Sequence, residues 1–216
     1  MPLERNERSF YKGRMTPTVP PGKGAATREM IVERAYMIAS SAGLEGLSIG
    51  PLAEAVGMSK SGVFAHFGSR EDLQLAVLDL AALRFGEHTL VPALKARRGL
   101  PRLRAIFEHW LDWIGRDRGG CLLLSAVSEY DDRPGPLRDR VIAHHQRWRG
   151  ELVRAIGLAV TAGDLRADLD ADQLAFEINA IALAVQHDLA LAPWETTAGR
   201  GRRMFERLLA DCLPLS

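Results

Sequence analysis

Apolar residues return at intervals of three and four along most of this chain, and no useful stretch alternates as a half-buried strand would. From Thr27 the spacing of Ile31, Ala35, Ile38, Ala39 and Ala42 predicts a helix over 27–43, opened by Thr27 as N-cap and closed by Gly43 and Gly46. Two short helices follow, at 49–56 and 60–66. Ser48 stands where its hydroxyl can cap the first, Pro51 is tolerated in its opening turn, and Ala53 is small where the two helices approach. Gly57 supplies the reversal, Ser59 caps the second helix, and Val63 and Phe67 face inward. Longer helices are predicted at about 70–92, with Leu73, Val77, Leu80 and Leu83 on one face, then at 101–116, 121–131, 136–162, 171–192 and 196–212. The fold class is all-α, with nine helices and no internal repeat.

This pattern divides the chain into an arm at 1–26, a small helical domain at 27–70, and a larger domain at 71–216. The arm holds Pro2, Pro17, Pro20 and Pro21 with little apolar periodicity, which predicts flexibility. Length and composition allow this division, since 216 residues with 47% hydrophobic content suffice for one small and one larger core. Cys121 and Cys212 match no metal spacing, and no apolar run reaches membrane-spanning length, so a cytoplasmic protein is expected.

Net charge is only +1, which excludes a generic nucleic-acid coat, but its distribution is uneven. Residues 1–70 carry nine Lys/Arg against six Asp/Glu, and the remainder carries 19 against 21. Most of the positive excess lies before Arg28. Two short helices with a basic, small-residue second start are the layout that sets a helix N-terminus in a DNA major groove. A nearly neutral motif of this kind needs a few placed contacts and doubling in a dimer to bind well.

The stretch Thr27–Leu78 closely resembles the N-terminal domain of TetR-family transcriptional regulators. The matching residues are Thr27-Arg28, Ala42-Gly43-Leu44, Leu52-Ala53, Val56-Gly57, Ser59-Lys60-Ser61, Phe64 and Phe67 around His66, and Ser69-Arg70-Glu71-Asp72-Leu73. Gly163-Asp164-Leu165-Arg166 before an Asp-rich turn also recurs in that family. The resemblance implies a nine-helix protomer that dimerises through its last two helices and releases operator DNA when a small molecule occupies the larger domain. Position by position, it implies DNA contacts at Arg28, Ser48, Ser59, Lys60, Ser61, Gly62, Phe64, His66 and Arg70. One departure is Phe64, which stands where the family usually has tyrosine and lacks the hydroxyl for a phosphate bond, a loss of about 1 kcal/mol per half-site.

In the larger domain Phe85, His88, Phe107, Trp110, Cys121, Leu124, Ser125, Glu129, His145 and Trp148 combine apolar walls with a few polar groups, as small-molecule sites do. Glu129 and His145 are its polar groups of most interest: if both are buried, Glu129 can accept a bond from a ligand donor or from His145, and the spacing leaves open whether the two meet. The apolar stripe Leu174, Ile178, Ile181, Ala182 and Val185, with Met204, Phe205, Leu208 and Leu209, fits a helical association surface. Catalysis is not expected. Adjacent His144 and His145 diverge by about 100° on a helix, a poor geometry for one ion, and HExxH, CxxC, phosphate-loop and GxSxG motifs are missing. No cofactor or metal is therefore expected. The reading is a ligand-responsive regulator, with a helical small-molecule binder that no longer engages DNA as the alternative.

Overall fold

The computed structural model describes residues 22–116 and 120–214, which form nine helices. In chain order these are α1 (Lys23–Ala42), α2 (Ile49–Ala55), α3 (Lys60–Phe67), α4 (Arg70–Ala93), α5 (Leu100–Arg116), α6 (Leu122–Tyr130), α7 (Pro136–Thr161), α8 (Ala171–Asp188) and α9 (Trp194–Ala210). No strand occurs among the described residues. Most of the proposed arm lies outside them.

Several helix ends depart from expectation, two of them for a visible local reason. Helix α1 begins at Lys23 rather than at Thr27, because the Gly22 carbonyl accepts the N–H groups of Ala25 and Ala26 and starts the spiral a turn earlier. Pro92 falls inside the last turn of α4 instead of ending it. Helix α8 stops at Asp188, four residues early. There the Asp188 carboxylate is taken by Thr197 Oγ1 at 2.9 Å and Arg200 at 2.8 Å from α9, and the next residues turn toward Pro193.

Helices α1 to α3 bury Ile31, Ala35, Leu44, Leu47, Leu52 and Val63 against the first half of α4, where Leu73, Val77 and Leu78 are fully buried. The second half of α4 packs on α5 and α7. At 24 residues, α4 spans both cores as one rod of about 36 Å. The stripe of α8 that looked available for association, Leu174 to Val185, is buried within the protomer together with Phe205 and Leu209 of α9. Phe176, Ala180 and Leu183 form the exposed stripe on the other side of α8.

One polar cluster ties the two domains. Helix α1 ends at Gly43 with φ +76°, and the N–H groups that follow have no helical acceptor. The carboxylate of Glu129, from α6, accepts both Leu44 N–H at 3.2 Å and Glu45 N–H at 2.8 Å. A β-carbon at position 43 would stand 2.8 Å from the same carboxylate, so glycine is required there twice over. Buried Gln74 donates to the Leu44 carbonyl at 2.7 Å, and Tyr130 donates to the Glu45 carboxylate at 2.6 Å. That bond, with Arg70 and Arg133 nearby, holds the Glu45 carboxyl below its ordinary range. Burial and the same carboxylate push the Tyr130 hydroxyl up.

Glu129→Ala should therefore destabilise the protein by about 1–3 kcal/mol in urea unfolding, because two donors lose a charged acceptor. Glu129→Gln, which keeps an amide oxygen at the turn, should lose less.

Candidate nucleic-acid interface and effector cavity

The exposed start of α3 is built by its cap. Ser59 accepts the Gly62 N–H at 3.1 Å and lies 3.0 Å, oxygen to oxygen, from Ser61. Gly57, with φ +66°, turns the chain between α2 and α3, and Met58 N–H closes the turn on Ala53 at 2.9 Å. Val63 and Phe67 bury the inner face of α3, so Lys60, Ser61 and Phe64 face solvent, Phe64 with 41% of its surface exposed. The Lys60 side chain runs beside Gly50, near the opening turn of α2.

The other candidates divide by what already holds them. Ser48 occupies the N-cap position of α2 in extended conformation, but its side chain makes no capping bond, contrary to expectation. Arg28 stacks over the Phe67 ring at 4.7 Å, which fixes its guanidinium against the end of α3, and His66 lies half-buried in the same region. Arg70 is committed inside the chain. Its Nε donates to the Leu47 carbonyl at 2.8 Å and its Nη2 to the Glu45 carbonyl at 2.5 Å. The turn before α2 is thereby gripped by α4. At Gly62 a β-carbon would come within 3.2 Å of Met58 and 3.3 Å of the Ser59 oxygen, so glycine there preserves the cap.

In the larger domain six of the ten sequence candidates, Phe85, Trp110, Cys121, Leu124, His145 and Trp148, surround a cavity of about 20 Å³. Phe85 meets Trp148 edge to face at 4.6 Å, and Trp110 meets Trp148 at 4.8 Å. Burial raises the Cys121 thiol above its ordinary range, so it serves as a small apolar wall. Leu123 and His144 also line this space and were missed, although His144 shares a helical stripe with Trp148 at i,i+4. A larger cleft of about 250 Å³ lies alongside and shares Phe85, Leu123, His144 and Trp148 as walls.

Four candidates lie elsewhere. Phe107 stacks on Phe205 of α9 at 3.9 Å, and His88 pairs with Arg116 at 3.2 Å. Ser125 donates to the Cys121 carbonyl at 3.3 Å. Glu129 caps the turn after α1, while His145 bonds the Leu123 carbonyl at 3.0 Å. Glu129 and His145 do not meet, because the two donors left open by Gly43 draw the carboxylate to the other domain.

Burial holds the His145 imidazole below its ordinary pKa, against a weaker opposing effect of the Leu123 bond, and burial lowers His88 likewise. Such a group is protonated more readily unfolded than folded, so its stability contribution is full above about pH 6.5 and falls as pH drops below it. The urea midpoint should therefore fall between pH 7.5 and pH 5.5. His145→Gln, which keeps a donor for the Leu123 carbonyl, should shrink that fall without abolishing it, since His88 contributes in the same direction.

Comparison with known proteins places these features. Residues 31–77 match the family model "Bacterial regulatory proteins, tetR family", and residues 99–205 match "Tetracyclin repressor-like, C-terminal domain". A TetR transcriptional regulator from Chloroflexus aurantiacus is 28% identical over 87% of this chain and 94% of its own, with a TM-score of 0.77. A transcriptional regulator from Saccharomonospora viridis, solved with choline, is 21% identical over 84% and 96%, with a TM-score of 0.74. AibR, solved with isovaleryl coenzyme A and operator DNA, is 22% identical over 83% and 98%, with a TM-score of 0.66. No curated protein matches by sequence. With both halves matched in order on an all-helical frame, the chain belongs to the TetR family of DNA-binding transcriptional regulators.

Proposed function

We propose that this regulator is a cytoplasmic homodimeric repressor that leaves a near-palindromic operator when a small, largely apolar effector enters the larger domain. The carrying observation is the reach of α4. At one end its Arg70 holds the turn before α2, and along its length Phe85 forms a wall of the aromatic cavity. A packed helix moves as a unit, so displacing Phe85 displaces the turn and the recognition helix with it. The effector must favour the released state, and a tenfold preference per dimer corresponds to about 1.4 kcal/mol.

Within each half-site Lys60 and Ser61 read base edges or phosphate, and Phe64 packs on sugar or a thymine methyl. Ser48 and Arg28 suit phosphates, the first because its hydroxyl has no capping bond, and His66 joins them from the far end of α3. Arg70 acts chiefly through the turn that it grips. Dimerisation is supported by the outward stripe of Phe176 (54% exposed) and Leu183 (43%), with Met204 (40%) on α9, which two copies can cover as a four-helix bundle. Relatives of this fold solved with operator DNA, with an acyl thioester and with choline support a switch of the same kind.

Selection from a random duplex pool should return a palindrome with half-sites about one helical turn apart; no enrichment would overturn the reading. Light scattering should give a dimer at micromolar concentration, and a monomer would count against it. Lys60→Ala should weaken operator binding by about 1 kcal/mol or more per half-site, with an unchanged melting temperature because the side chain is exposed.

A further inference from the structure

Tryptophan indoles carry one hydrogen-bond donor and no acceptor, so a buried indole N–H is satisfied only when an acceptor is brought to it. Trp110, on α5, is 1% exposed, and Trp148, on α7, is 9% exposed. The Nε1 atoms of both are buried without a hydrogen-bond partner among the described residues. Native interiors seldom leave such groups unpaired, and two on rings in mutual contact around one cavity form an unfilled demand for an acceptor.

Charge narrows the class of ligand. No Asp, Glu, Lys or Arg is among the residues lining the cavity. His144 is engaged by Asp79 at 3.0 Å, and His145 by the Leu123 carbonyl at 3.0 Å. A buried cation or carboxylate would find no permanent counter-charge there, and an uncompensated buried charge is costly.

We infer that this cavity takes an uncharged, largely apolar molecule bearing a hydrogen-bond acceptor such as a ketone or ester carbonyl, held by the indole N–H groups of Trp110 and Trp148. The inference rests on the effector-controlled reading above and specifies its ligand. Entry requires Phe85 and Trp148 to part, which joins the small cavity to the 250 Å³ cleft that shares those walls. Asp79, Arg147 and Glu151 stand in the lining of that cleft, with Asp79 already paired with Arg140 and His144, and Glu151 with Arg154.

The test compares four probes of similar size on the full chain: acetophenone, ethylbenzene, benzoate and phenyltrimethylammonium. Binding is read by titration and by the four indole N–H resonances of the ¹⁵N-labelled protein, with Trp113→Phe and Trp194→Phe identifying the two cavity indoles by elimination. Acetophenone should bind about tenfold tighter than ethylbenzene and shift both cavity indole resonances. Ethylbenzene binding equally well, either ion binding more tightly, or no probe binding at all would overturn the assignment. Operator release is measured separately. Acetophenone that binds without releasing DNA would sustain the ligand class and sink the effector reading.

Discussion

Helix α1 ends on a glycine, and the two backbone N–H groups beyond it find their acceptor in the other domain. Glu129 satisfies Leu44 and Glu45 at once, and without it the turn that orients α2 and α3 would expose or bury unpaired donors. Around this contact, Gln74 and Arg70 of α4 and Tyr130 of α6 hold the same four-residue turn by its carbonyls and by the Glu45 carboxylate. The position of the recognition helix is therefore set jointly by three elements, two of which also contribute to the larger domain.

This arrangement explains a division of labour along α4. Its first half forms the wall of the small core of α1 to α3. Its second half meets the aromatic cluster of α5 and α7. The rings there touch edge to face around a cavity of about 20 Å³, so the cluster itself has almost no free volume, and the cleft of about 250 Å³ shares only its walls Phe85, Leu123, His144 and Trp148.

The fold was legible because helical periodicity, Gly57 and the Ser59 cap are local signals, and all nine helices of the described residues were anticipated in order. Helix ends were less legible: the start of α1 and the end of α8 are decided by a carbonyl and a carboxylate whose partners the pattern does not reveal. Six of the eight residues around the small cavity were visible for a general reason, since large apolar residues on facing stripes must meet somewhere. Polar partners were less legible. Glu129, read as a pocket residue, caps the turn after α1, and Arg70 also bonds two carbonyls of the turn before α2. Partners 85 and 23 residues away in sequence decide those two cases, and no spacing rule reports them. Gln74, polar within an otherwise buried stripe of α4, was the one sequence signal of that network.

The Gly43–Glu129 contact bears on how far the two halves of this regulator can be exchanged. A hybrid that joins residues up to α4 to the sensing domain of another relative keeps the glycine and its two unpaired donors but receives whatever stands at the end of the new α6. Unless that helix brings a carboxylate to the same place, the grafted reader is left with an open turn. The modular appearance of the chain thus conceals a joint that must be inherited from both sides together.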